Sequence, residues 1–163
     1  MADTNAWLAL VRMAGEKIVA FLPRWIVKGF YPLQALQAHI HVDVRSVDFR
    51  LGDVPHVYLW LIITNCSPYV DIKVDQIFVD IWDSQPLVKV SSSQRPTIRR
   101  CTKPKEGIPC EADLTDGHVR RLRERKGTSL ELKFYVHAFF ETAIGPLEWR
   151  ETITVGDQVR VAG

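Results

Sequence analysis

Leu130-Glu131-Leu132-Lys133-Phe134-Tyr135-Val136-His137-Ala138-Phe139-Phe140 is the stretch on which the fold turns. Leu130, Leu132, Phe134, Val136, Ala138 and Phe140 recur at every second position. That is the period of a pleated strand with one face in a core, not the three-to-four-residue period of a helix. Gly145-Pro146 supplies a turn, and Leu147, Trp149, Ile153 and Val155 predict the returning strand.

The same pattern extends towards the N-terminus. Ile40, Val42 and Val44 share a face, and Val47, Phe49 and Leu51 continue with shifted parity. The shift predicts a bulge near Arg45-Ser46. Val57 to Thr64 is apolar on both faces, which predicts a central strand covered on both sides. Val70, Ile72 and Val74 alternate, then Ile77, Val79 and Ile81 do so after another parity shift. Asp83-Ser84-Gln85-Pro86 reads as a turn before the extended run Leu87 to Val90. Residues 91–107 are rich in Ser, Pro and basic side chains and read as a surface loop. Cys110, Ala112 and Leu114 alternate briefly, and Asp116 or Thr115 can cap a short helix through Val119 and Leu122 that Gly127 ends. About seven strands at this spacing predict a mainly β domain over residues 39–163, an immunoglobulin-like (fibronectin-III-like) antiparallel β-sandwich.

Residues 1–38 have a different character. Trp7, Leu8, Leu10, Val11, Ala14, Ile18 and Phe21 recur at helical steps until Pro23 interrupts them. A second short helix is expected through Trp25, Ile26, Val27 and Phe30, ended by Gly29 and Tyr31-Pro32. Arg12, Glu16 and Lys17 break the apolar run, so it is not a signal peptide. It reads as an amphipathic helical arm, with Trp7, Leu10, Phe21, Trp25 and Phe30 as the membrane- or partner-docking side chains. A helix packed on the protein's own core satisfies the same pattern.

The chain has 163 residues, 47% apolar and 25% charged, enough for one packed domain and too apolar for global disorder. The net charge of +2 conceals an uneven distribution. Residues 1–38 carry +2, 39–90 carry −3, 91–126 carry +5 and 127–163 carry −2. A globally basic nucleic-acid binder is therefore excluded, while a local basic region remains. Within it, Arg95, Arg99, Arg100, Lys103 and Lys105 precede Arg120, Arg121, Arg123, Arg125 and Lys126. Brought together by the fold, Arg95, Arg99, Arg100, Arg120, Arg121, Arg123, Arg125 and Lys126 would form an anion-binding surface, worth about 1 kcal/mol per basic side chain near anionic headgroups. A solvated loop, partly paired with Glu106, Glu111, Asp113, Asp116 and Glu124, is the plainer reading.

No stretch of uncharged apolar residues is long enough for a membrane-spanning helix. Cys66, Cys101 and Cys110 cannot all pair within the chain. A Cys101–Cys110 bridge would close a loop, but three reduced thiols are simpler and suit a cytoplasmic protein. Asn65-Cys66-Ser67 matches a glycosylation sequon, relevant only to a secreted protein. His39, His41 and Asp43 share one strand face and are weak metal-ligand candidates with no obvious fourth ligand. Neither a nucleophile elbow nor a phosphate-cradling glycine loop occurs. His118 reads as a loop residue and His137 as an outward strand residue.

Leu59-Trp60-Leu61-Ile62-Ile63-Thr64-Asn65, then Pro68-Tyr69, then Val74 to Trp82, and finally Leu132 to Phe140 with Ile144-Gly145, give a pattern that resembles the late-embryogenesis-abundant group 2 proteins. Their water-stress and hypersensitive-response domain is matched over roughly residues 39–156. The family usually places Pro directly after the Asn, whereas here Cys66-Ser67 intervene. The resemblance implies an immunoglobulin-like sandwich without enzymatic activity, and an N-terminal anchor placed like the present arm.

These readings converge on a non-catalytic interaction protein without a cofactor. It would be cytoplasmic and either membrane-peripheral, on an anionic surface, or a subunit of a larger assembly. Two alternatives stand beside it: a nucleic-acid-binding module using residues 95–126, and, more weakly, a metal-dependent enzyme at His39, His41 and Asp43.

Overall fold

Alternating burial selects the strands. The computed structural model describes residues 31–102, 107–125, 131–155 and 159–162, with Ile26 and Gly29. In chain order the described elements are α1 (Leu33–Gln37), β1 (Ile40–Arg50), β2 (His56–Asn65), β3 (Ile72–Asp83), β4 (Gln85–Ser92), β5 (Thr97–Ile98), β6 (Ile108–Asp113), α2 (Asp116–Glu124), β7 (Leu132–Thr142), β8 (Leu147–Val155) and β9 (Val159–Ala162). Leu132, Phe134, Val136, Ala138 and Phe140 of β7 are all buried, as their spacing requires. Both parity shifts are β-bulges: one falls between Val44 and Ser46, the other between Val74 and Gln76. Ser84 takes a positive φ of 51° and lets Asp83 pair with Gln85. Gly145, at φ 137°, turns β7 into β8 through a conformation a Cβ would disfavour.

Hydrogen bonding runs without a break through the order β8-β7-β3-β4-β6-β2-β1-β9, with β5 added to β3. The architecture is mainly β, a single open mixed sheet, where the sequence predicts two separate antiparallel sheets. Two features produce the difference. β4 and β6 join the halves through one register pair, Ser91 with Glu111. β9 runs parallel to β1, pairing Val47 with Val159 and Phe49 with Val161. Strands β1 to β8 each send buried side chains into a common core with Phe49, Leu61, Ile81 and Phe134, and the half-buried Val159 and Val161 of β9 pack against it.

β2 corrects a second expectation. Val57, Leu59, Leu61 and Ile63 are fully buried, but Trp60 on the opposite face is exposed and Tyr58 and Ile62 are half-buried. The strand is central, between β1 and β6, yet covered on one side among the described residues. An apolar run does not by itself distinguish one covered face from two.

α2 forms where expected. The Thr115 hydroxyl accepts from the His118 N–H at 3.4 Å, and His118 Nδ1 accepts from the Thr115 N–H at 3.2 Å. This reciprocal pair satisfies two donors at the helix start. His118 is thus a helix-capping residue, not a loop residue. Val119 and Leu122 face the core. Tyr31 and Leu36, just before β1, also belong to the core.

Candidate functional site

The predicted basic surface divides into two groups. β5 pairs with the start of β3, Thr97 against Lys73 and Ile98 against Ile72. This brings Arg95, Arg99 and Arg100 to that end. Arg95 lies 3.5 Å from Asp75, and the Arg100 backbone N–H donates to Asp71 at 2.8 Å. α2 meets the opposite end, where Arg125 Nη1 donates to Asp83 at 2.8 Å. From Lys73 to Asp83 the strand advances about 30 Å. Arg95, Arg99 and Arg100 therefore do not share a surface with Arg120, Arg121, Arg123 and Arg125. Lys126, Lys103 and Lys105 lie outside the described residues.

Both groups spend most of their side chains on contacts within the domain. On α2, Arg121 donates to the Pro86 carbonyl at 2.9 Å, Arg123 to the Leu51 carbonyl at 3.2 Å, and Arg125 to Asp83. These side chains tie the helix to the β3–β4 hairpin and to the end of β1. A cleft of about 210 Å³ beside them is lined by Asp83 and Glu124 as well as Arg121 and Arg125, so its charge is mixed. The side chains of Arg99 and Arg120 are exposed and make no hydrogen bond or ion pair among the described residues.

Arg99 and Arg100 stand where the N-terminal segment joins the domain. Tyr31 packs edge-to-face on Tyr69, with ring centroids 5.2 Å apart. Arg100 Nη1 reaches the Tyr69 carbonyl at 3.4 Å. The Tyr31 hydroxyl lies 3.1 Å from His39 Nδ1, and burial raises its phenol above the ordinary value. Trp7, Leu10, Phe21, Trp25 and Phe30, the expected docking side chains of the arm, lie outside the described residues.

A buried polar network holds this end together. Asn65 Nδ2 donates to the Val70 carbonyl at 2.9 Å and the Ile98 carbonyl at 3.2 Å, while its Oδ1 accepts from the Ser67 N–H at 3.0 Å. Ser67 Oγ accepts from the N–H groups of Val70 and Tyr69, at 3.1 and 3.3 Å. Both side chains are fully buried. The Asn65 amide is consumed by structure, so the sequon marks a joint in the fold. Two short polar residues between apolar strands, with Pro68 following, were the available signal for such a turn.

The metal candidates do not converge. His39 Nδ1 lies 2.6 Å from the Ala35 carbonyl, whereas His41 and Asp43 are exposed. Among the described residues no three His, Cys, Asp or Glu side chains gather as a metal site. Sequence reasoning missed two surface clusters. His56 Nδ1 lies 2.8 Å from Asp113, with Glu111 at 3.6 Å from its Nε2. On the outer face of β7 and β8, Glu148 bonds His137 at 2.7 Å and also Arg150. Arg150 and then His137 hold the Glu148 carboxyl below its ordinary range. His137 is an outward strand residue, as predicted.

No family model matches the chain, and no curated protein matches it either. Among solved structures, a crystal structure of a protein from Archaeoglobus fulgidus is similar at a TM-score of 0.47 and 9% identity, covering 73% of this chain and 94% of that one. A solution structure of a protein provisionally described as late embryogenesis abundant is similar at a TM-score of 0.34 and 13% identity, covering 89% of this chain and 87% of that one. No helix among the described residues is long and apolar enough to cross a membrane.

Proposed function

We propose that this chain is a non-catalytic interaction protein that docks peripherally on an anionic membrane surface. Its sheet, pinched between β4 and β6, acts as an immunoglobulin-like sandwich, and its N-terminal amphipathic segment is the apolar half of the contact. The basic half is the group Arg95, Arg99 and Arg100. One observation supports this division: Tyr31, where the N-terminal segment meets the domain, packs on Tyr69, whose carbonyl holds Arg100. Apolar and cationic anchors then act from one end of the molecule. Neither alone gives firm attachment, since stable peripheral binding takes two signals.

Flotation with phosphatidylserine-containing vesicles tests the reading. The full chain is expected to float at low salt and to detach as salt rises. Replacing Arg99 and Arg100 together by Ala removes about 1 kcal/mol for each, roughly thirty-fold in partitioning. Replacing Arg120 by Ala, at the far end, leaves binding unchanged. Failure of the full chain to float, or retention on duplex DNA in place of vesicles, overturns it.

A further inference from the structure

We propose that Cys66 and Cys101 form a modification site, an exposed dithiol that closes to a cross-strand disulfide when it meets a small-molecule disulfide such as glutathione disulfide. The inference is independent of the membrane reading. Asn65 and Thr102 form an antiparallel bridge, each N–H donating to the other's carbonyl, at 3.2 and 3.1 Å. Cys66 and Cys101 directly adjoin that bridge, one on each chain segment, with Cys101 in the turn that leads into it. In a regular antiparallel ladder, positions next to a doubly bonded pair hold their Cα atoms about 4.5 Å apart. A disulfide needs about 4.4–6.8 Å. On the far side of the pair, the Cys101 N–H donates to the Ser67 carbonyl at 3.1 Å. The two cysteines are thus held between cross-chain hydrogen bonds.

Two further observations agree. The Cys101 thiol donates to the Ser67 carbonyl at 3.5 Å, so its sulfur is turned towards the segment that carries Cys66. Both thiols are exposed, whereas Cys110 is buried in the core. Burial pushes the Cys110 thiol up to about 12, which suppresses the thiolate that does the chemistry. Cys110 is therefore a built-in control.

The chemistry balances as two exchanges. The Cys66 thiolate attacks one sulfur of glutathione disulfide, forming a mixed disulfide and expelling a glutathione thiolate. The Cys101 thiolate then attacks the Cys66 sulfur, forming the Cys66–Cys101 bond and expelling the second glutathione. The two protein thiols are oxidised, glutathione disulfide is reduced to two glutathione molecules, and these take up the two protons. The closed form ties the segment bearing Arg99 and Arg100 to the Asn65–Ser67 turn.

The test uses the full chain with glutathione disulfide, followed by intact mass and non-reducing peptide mapping. The expected product is monomeric, lighter by two hydrogens, and maps a Cys66 peptide joined to a Cys101 peptide. Cys66→Ser is expected to stop at a glutathione adduct on Cys101. A bond to Cys110, a stable adduct on Cys66 of the unsubstituted chain, disulfide-linked dimers, or two unreacted thiols would each overturn the proposal. Cys66 is exposed, and unchanged far-UV circular dichroism of Cys66→Ser confirms that the comparison is between folded chains.

Discussion

The two ends of β3 are held by opposite kinds of polar chemistry. At Ile72, beneath the exposed pairs of Lys73 with Glu141 and Arg95 with Asp75, the joint is a neutral, buried and multiply bonded network of Asn65 and Ser67. At Asp83 it is charged and exposed, through Arg125, Arg121 and the α2 helix. A buried amide that loses its partners has no water to replace them, whereas an exposed guanidinium has water on every side. The first end is therefore where the fold is vulnerable, and the second is where substitution is cheap.

Asn65→Ala is the most severe way to break that contrast. It leaves the Ser67 N–H without its acceptor and the Val70 and Ile98 carbonyls without their donor. The expected loss is about 3 kcal/mol in urea unfolding, or on the order of 10 °C in Tm for a chain of this size. β5 has only two residues and depends on that Asn65 contact at Ile98, so exchange protection should fall there first. A loss confined to a few tenths of a kcal/mol would remove the distinction between the two ends.

Arg125→Ala sharpens the other side. Its guanidinium is 48% exposed and Asp83 17% exposed, so the pair is screened by solvent. The expected cost is roughly 0.5 kcal/mol, falling further at high salt. A loss as large as that of Asn65→Ala would make α2 an essential part of the fold.

What was legible in the sequence follows the same division. Regular alternation exposed β7, and its parity slips exposed both bulges, because a pleated strand has a fixed two-residue period. β9 escaped because four residues, Val159 to Ala162, carry too short a pattern, and nothing local specifies parallel pairing with β1. Asn65 escaped because its role depends on Ile98, which is remote in sequence. The basic stretch suggested one surface because its members are near in sequence. β6 crosses the sheet between the two groups, from Leu61 to His56 along β2, and carries the chain to the other end. Net charge per segment is a property of the chain, while a binding surface is a property of the fold.

The smallest expected effect concerns pH and again lies at the α2 end. His118 Nδ1 accepts the Thr115 N–H and can do so only when unprotonated. Burial, and then the Arg121 charge, lower the His118 pKa from its ordinary 6.5. The folded state therefore binds its proton less readily than the unfolded state. By linkage, this contribution to stability is complete above pH 6.5 and is lost as pH falls through the lowered folded value. His118→Gln keeps a side-chain acceptor at the same capping position without a titrating ring. Unfolding free energies of the two proteins should run parallel above neutrality and diverge on acidification, the native chain falling more steeply. Parallel curves throughout would mean that the His118 ring does not accept the capping hydrogen bond in solution, and the helix start would then rest on Thr115 alone.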